Sequence, residues 1–273
     1  MQSSNLGFEN KNKNEDEDEI IDCLAENPKS QIQTKTKPMK EKKESNKLQK
    51  FFHDDPNIFE IGVDEAGRGP LFGRVYTAAV ILPKDDSFDH SKMKDSKKFH
   101  SKKKIQEVAE YIKSNAIAWS VTYEDESVID DVNILQATQS SMHKSILKTM
   151  QSHYHLLNSN NKTEKGIYQL LIDGNYFKKM PIEEPLKYCS KYHTLCVEGG
   201  DNTYTAIAAA SILAKVERDH YIDELCVLNP ELSERYGIDT NKGYGAKKHL
   251  DGIKQHGITI WHRRTFGICK EYS

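Results

Sequence analysis

Four acidic residues stand where a carboxylate could do chemistry. Asp64 and Glu65 follow the apolar run Ile61-Gly62-Val63 and precede Ala66-Gly67-Arg68-Gly69-Pro70. Asp173 ends Leu170-Leu171-Ile172 and precedes Gly174, and Asp201 follows Gly199-Gly200 just before an Ala-rich segment. Carboxylates converging from separate strand ends form an oxygen-rich pocket for a hard divalent cation, and Mg²⁺ favours one or two carboxylates plus waters plus substrate phosphate. Two such ions ~4 Å apart can activate a water against a phosphodiester. Other readings stand beside this one. Asp-Gly alone makes a turn, and Asp201 alone favours a helix N-terminus. Successive strand residues point to opposite faces, so Asp64 and Glu65 can serve one site only if the strand ends or twists there. Gly67 and Gly69 offer such an ending.

The elements that would position these acids follow from periodicity. Strands are expected at 58–63, at 75–82 (nearly all apolar, as in a strand covered on both faces), at 117–123, at 170–172 and at 192–197. Helices are expected at 101–114, with Ser101 as N-cap, at 133–150, at 205–228 and at 246–256, the last closed by Gly257. Residues 158–166 read as a polar loop. Ala206, Ala208, Ala209, Ala210 and Ala214 would let their helix approach a sheet closely. Interleaved strands and helices with a hairpin-like start predict an α/β domain: a mixed central sheet flanked by helices, plus a helical C-terminal region over about 202–273.

Charge divides the chain. It has 273 residues, 39 Lys+Arg and 41 Asp+Glu, a formal net charge of −2. Residues 1–57 hold 10 Lys+Arg and 12 Asp+Glu and little that is apolar, so they are expected to form a mostly disordered N-terminal tail. Residues 58–273 hold 29 of each and are expected to form the catalytic domain. No run approaches the ~20 apolar residues of a membrane span, and no apolar segment marks a secretory signal. The five cysteines show no CxxC pair, which argues against a disulfide framework or zinc site. A reducing compartment is expected: cytoplasm, or nucleus in a eukaryote, with no membrane partner. Near-zero net charge argues against a coat protein binding nucleic acid by bulk charge. It leaves room for a nuclease with local basic patches.

Ile61-Gly62-Val63-Asp64-Glu65-Ala66-Gly67-Arg68-Gly69-Pro70-Leu71 resembles the opening signature of the ribonuclease HII (type 2 ribonuclease H) family. So, in order, do Asp95-Ser96-Lys97-Lys98, Asn133-Ile134-Leu135-Gln136-Ala137-Thr138, Leu171-Ile172-Asp173-Gly174-Asn175, Gly200-Asp201 with 207–216 and Arg218-Asp219, and Asn241-Lys242-Gly243-Tyr244-Gly245 with His249. The resemblance covers about residues 58–267. It implies an RNase H-like fold, hydrolysis of RNA in RNA/DNA hybrids and at ribonucleotides embedded in duplex DNA, and Mg²⁺ or Mn²⁺ held by Asp64, Glu65, Asp173 and Asp201. It also implies that Gly67, Arg68 and Gly69 read the ribose 2′-OH and adjacent phosphates, that Tyr244 packs on the sugar at the RNA–DNA junction, and that Lys215 works near substrate or the acids. Asp173 and Asp201 are 28 positions apart, so an inserted loop is expected over 177–192, with Asp219 as fallback for the fourth acid. The related type 3 enzymes lack the Gly-Arg-Gly element and carry a folded N-terminal substrate-binding domain, for which the first 57 residues are too charged.

Three further features have two readings each. Lysines at 84, 92, 94, 97, 98 and 102–104 would contact duplex phosphates or form a solvated face. His249, His256 and His262 would meet a phosphate or be ordinary core and surface histidines. Leu48, Phe51 and Phe52, within 45–52, resemble the motif that binds the sliding clamp, with Ser45 where Gln usually stands. Alternatively they cover the first strand of the domain's own core. A catalytically silent hybrid-binding module and a DNA-directed nuclease are the competing functions; the four acids count against the first and the Gly-Arg-Gly element against the second.

Overall fold

A computed structural model describes residues 47–159, 164–181, 183 and 185–273. Most of the expected tail, with Cys23 and with Ser45 and Asn46 of the clamp-like motif, lies outside the described residues. Five strands form one mixed sheet: β1 (Ile58–Ala66), β2 (Val75–Ile81), β3 (Ala118–Glu124), β4 (Gly166–Asp173) and β5 (Cys189–Val197), in the order β3-β2-β1-β4-β5. β1, β2 and β3 form an antiparallel meander, while β4 pairs parallel to both β1 and β5. The C-terminal ends of β1, β4 and β5 therefore share one edge of the sheet with the start of β2.

Helix α1 (Lys102–Asn115) is capped by Ser101, whose Oγ accepts the Lys104 amide. α2 (Glu126–Leu157) begins earlier than the expected Asn133, because Asp125 caps a preceding turn at the Val128 amide. Asn133 breaks the helix, with φ 69° and ψ 164°, a region few residues other than glycine occupy. Its side chain offsets the break by accepting the Leu135 and Gln136 amides at 2.9 and 3.1 Å, restarting the helix where the sequence placed its beginning.

α3 (Thr205–Leu228) matches its expected bounds. It lies across β1 and β2 on one face of the sheet, and its alanines pack with Ala78 and Val80. α2 covers the other face, where Met142, Ile146 and Met150 meet Ile61, Val63, Ala79 and Ile81. The closeness of α3 depends on Gly62: a Cβ there would overlap the Ala206 carbonyl and the Ile207 amide. Between β4 and β5 the described residues of 174–188 include a short 3-10 turn at Pro185–Lys187; the loop expected over 177–192 ends sooner, because Cys189 to Tyr192 already pair in β5.

The C-terminal part adds α4 (Glu231–Tyr236), α5 (Ile238–Asn241) and α6 (Lys247–His256), ending at Gly257. These pack with Phe72 and Tyr76 into a third core cluster. Among the described residues no helix is long and apolar enough to cross a membrane.

The order of the chain begins before the expected boundary at 58. Gln49 donates from its amide to the Thr203 carbonyl (2.8 Å) and accepts the Thr205 amide (3.0 Å), a parallel bridge at the entry to α3. Leu48 packs against the α3 core cluster. Phe51 meets the His90 ring edge-on at 5.2 Å. The Phe52 and His53 amides donate to buried Glu60, at 3.0 and 2.7 Å. Of the three apolar residues, Phe52 stays most open, at 40% exposure. Residues 47–57 thus belong to the folded body, held by backbone pairing that composition does not reveal.

Candidate active site

Strand register decides where each acid points. Asp64 pairs with Ala78, which faces α3, and Glu65 with Thr77, whose hydroxyl bonds Ser141 of α2 at 2.7 Å. The strand does not end between them: β1 runs on to Ala66, so the two side chains leave by opposite faces. Val63 pairs with Ile172, so Asp64 and Asp173 follow side by side on neighbouring strands. Asp201 sits in the short 3-10 turn Gly200–Asn202 between β5 and α3. Asp173 Oδ1 ties this turn to β4 by accepting the Gly200 amide at 2.7 Å. Three acids thus meet on the α3 side, and Glu65 joins them around the rim of the sheet.

The charges of these acids act on one another. Burial, then Glu65 and Asp173, push the Asp64 carboxyl well above the usual range. Burial also raises Glu65, with Arg68 opposing and Asp173 adding. Asp201 is raised by burial, then by Asp95 and Asp173, against Lys97. Two cations stand close by: Arg68, 3.4 Å from Glu65, and Lys97, 4.0 Å from Asp201. Lys97 itself is raised: burial works against its charge, but Asp201, Asp95, Asp64 and Asp173 together outweigh it. Such poorly compensated, mutually repelling carboxylates fit a divalent cation. Among the described residues no three His, Cys, Asp or Glu side chains close into a ready-made cage.

The loop after β1 is shaped by residues far away in sequence. Arg263, fully buried, donates to the carbonyls of Gly67 (2.6 Å), Arg68 (3.0 Å), Pro70 (2.9 Å) and Gly73 (2.8 Å). Arg218 of α3 donates to those of Phe72, Arg74 and Lys242. Burial pushes the Arg263 guanidinium down to about 9, with Arg218 adding. Carbonyl dipoles, not a carboxylate, receive its donors. Gly67 has φ +95°, and a Cβ there would overlap the Arg218 side chain. The loop leaves the Arg68 side chain half exposed.

Tyr244 stands beside this loop, its ring 3.5 Å from where a Cβ on Gly69 would lie, and 53% exposed. Its carbonyl accepts His249 Nδ1–H (2.9 Å). His249 Nε2 then accepts from His262 Nε2 (3.1 Å), and His262 Nδ1 accepts the Thr259 amide (2.9 Å). His249 and His262 are therefore buried, paired and neutral; His256 is exposed. Lys215 does not reach the acids. It pairs with Asp219 one turn along α3, on the face that carries Ser211. Asp219, bound there, is not among the acids that perturb one another.

Four contributors were not singled out as site residues by sequence reading. Ser211 hydrogen-bonds Asp64 and, at 2.9 Å, Ser96. Asp95 accepts Asn202 Nδ2 (3.2 Å), which also donates to Asp201 (2.9 Å). Asp95 and Ser211 do lie within recognisable motifs. Arg263, in Trp261-His262-Arg263-Arg264, carries no spacing signal. The fourth, Lys97, sits in the basic cluster, which the fold splits. Lys84 binds the His53 and Asp55 carbonyls, Lys92 pairs with Asp89, Lys102 with Asp223 and Lys103 with Glu107, while Lys97 and Lys98 turn toward the acid side at Asp201 and Asn202.

Carboxylates gathered at the C-terminal edge of a mixed five-stranded sheet, under an Ala-rich helix, define the class: a nuclease of RNase H-like fold. The comparisons narrow it. The family model described as Ribonuclease HII matches residues 61–269. The ribonuclease HII of Bacteroides fragilis is 42% identical over 213 residues, spanning 77% of this chain and 90% of that protein. Two solved structures share the fold. The ribonuclease H2 of Pyrococcus horikoshii has a TM-score of 0.52 at 21% identity, covering 79% of this chain and 97% of that one. The RNase HII of Archaeoglobus fulgidus, solved in complex with PCNA, has a TM-score of 0.51 at 23% identity, covering 77% and 96%. The chain belongs to the ribonuclease HII family, the type 2 ribonucleases H.

Proposed function

We propose that this chain is a divalent-metal-dependent endonuclease that cuts the RNA strand of RNA/DNA hybrids and cuts duplex DNA on the 5′ side of an embedded ribonucleotide. The observation that carries this is the gathering of Asp64, Asp173 and Asp201, with Glu65 coupled to them, beside a loop that exposes Arg68 and Gly69. Asp64, Glu65, Asp173 and Asp201 would hold Mg²⁺ or Mn²⁺. When bound, the ions lower the pKa of water and neutralise charge building on the phosphate. The chain's own residues do the rest. Ser211 and the Glu65 amide, which donates to Asp64 at 2.7 Å, fix the Asp64 carboxylate. Gly67 and Gly69 let the backbone approach the ribose closely, and the 2′-OH is what separates RNA from DNA. Arg68 reaches the adjacent phosphate, and Tyr244 offers its ring to the sugar. Water adds to phosphorus and the P–O3′ bond breaks, which leaves a 3′-hydroxyl upstream and a 5′-phosphate on the ribonucleotide. Cellular roles in ribonucleotide excision and RNA-primer removal during replication and repair follow from that specificity.

The test is one assay with Mg²⁺ or Mn²⁺ on duplex DNA holding a single ribonucleotide, on a long hybrid and on all-DNA duplex. Cleavage of the first two and not the third is expected. Asp64→Asn should lower cleavage by roughly 10³-fold or more with the thermal midpoint retained. Retained activity would remove the metal assignment.

Docking of Leu48, Phe51 and Phe52 on a sliding clamp is a separate proposal, supported by the motif alone. It requires Leu48 and Phe51 to leave their packing on the body. Clamp capture unaffected by Phe51→Ala plus Phe52→Ala would count against it.

A further inference from the structure

One cavity lies outside the acid site yet shares a wall with it. It encloses about 350 Å³, and Lys47, Lys50, His90, Lys94, Asp95 and Lys98 line it. The shared wall is Asp95, which accepts Asn202 Nδ2, the group that also donates to Asp201. Lys98 closes that corner by donating to Asn202 Oδ1.

Two pieces of chain build the cavity. One is the segment 90–98, with its two 3-10 turns His90–Lys92 and Ser96–Lys98. The other is the strap 47–50. The strap is held by its backbone: Gln49 pairs through both its amide and its carbonyl, and the Lys50 carbonyl accepts Thr205 Oγ1 at 3.0 Å. Leu48 anchors it in the core. The ammonium groups of Lys47 and Lys50 take no part in that docking. Among the described residues, Lys47, Lys50 and Lys94 have no acidic side chain within ion-pair distance. Lys98 donates to Asn202 and the Lys94 ammonium rests over the Phe99 ring, so Lys47 and Lys50 bring the uncommitted positive charge to a wall whose one carboxylate, Asp95, is already hydrogen-bonded, beside a cluster of acids that repels any polyanion.

We propose that this cavity binds a backbone phosphodiester of the nucleic-acid duplex, one removed along the strand from the phosphate at the acids, and that the strap 47–50 is a wall of the substrate-binding cleft. Phosphate contacts fix register and orientation on a duplex without reading sequence. Positive charge here offsets the repulsion between the acids and the incoming strand. The proposal rests on the nuclease reading above but is tested separately from it.

The experiment measures binding of an RNA/DNA hybrid by fluorescence anisotropy across a salt series, using the full chain with Asp64→Asn to block cleavage. Lys47→Gln plus Lys50→Gln should raise Kd by about tenfold or more at 0.1 M salt and reduce the slope of log Kd against log salt by about one, the share of a single phosphate. Because the strap docks through its backbone, the thermal midpoint should hold. In the cleaving enzyme the same pair should raise KM more than it lowers kcat. An unchanged salt slope with the midpoint retained overturns the proposal. Stabilisation of the parent chain, but not the variant, by inorganic phosphate, with the hybrid slope unchanged, would mark a free-anion site and overturn it too. Failure of the unmodified chain to cut hybrids would sink the nuclease reading, while the binding slopes would still judge the cavity.

Discussion

Arg68 and Tyr244 approach the same loop from different sides, one paired to Glu65 and the other beside Gly69. Neither side chain is buried, so each can be removed without opening the core. Arg68→Ala or Tyr244→Ala should lower cleavage at a single ribonucleotide by roughly tenfold more than cleavage of a long hybrid. A long hybrid offers many registers, whereas a single ribonucleotide must be read in one. Measuring both substrates side by side decides it; equal losses would count against reading of the junction. Short motifs in the sequence drew attention to the four acids and to Tyr244, and the fold places three of those acids on one side of the sheet and Tyr244 beside the loop after β1. The role of Arg263 was not legible. A buried guanidinium serving four carbonyls looks in sequence like any surface arginine, because its partners lie about 190 positions away.

At the scale of elements, the site depends on how closely α3 approaches β1. Ser211 must reach Asp64 while the turn before the helix carries Asp201. Gly62→Ala would press a methyl into the backbone of Ala206 and Ile207. Such overpacking costs about 1–3 kcal/mol, and the helix must shift to relieve it. The variant should unfold at lower urea concentration and lose most activity even under conditions where it stays folded. Full activity in the folded variant would show that the acids tolerate a displaced helix. The Ala run made a close helix–sheet contact readable in the sequence, whereas the part of Gly62 in it emerges only from the fold. Docking of residues 47–57 was less readable. Its bonds are backbone to backbone, or reach the buried carboxylate of Glu60, and the local composition is indistinguishable from a solvated tail. Likewise β1 was expected to stop at the acids, but the glycines that suggested an ending act one residue later, beyond Ala66.

Across the whole molecule, buried histidines set the response to acid. Burial lowers His153 to about 4, and burial with His249 lowers His262 to about 3. His249 and His90 are lowered chiefly by burial as well. An unfolded histidine titrates near 6.5. Below that pH the unfolded chain binds protons that the folded one refuses, so stability is present above about pH 6.5 and is lost as pH falls toward 4 and then 3. Each such histidine contributes a slope of up to about 1.4 kcal/mol per pH unit. Urea midpoints should therefore drop between pH 7 and 5, and His153→Gln should make the drop shallower. An unchanged slope would rule out this account. The fold class and the central acids were open to sequence reading because they depend on short-range pattern. The pinning of the first catalytic loop was not, since Arg263 lies 195 residues beyond Arg68. That separation bears on synthesis. A nascent chain still short of residue 263 already carries all four acids and Arg218, but lacks the guanidinium that holds the carbonyls of Gly67, Arg68, Pro70 and Gly73. The loop proposed to read the ribose is therefore pinned only once residue 263 has joined the chain.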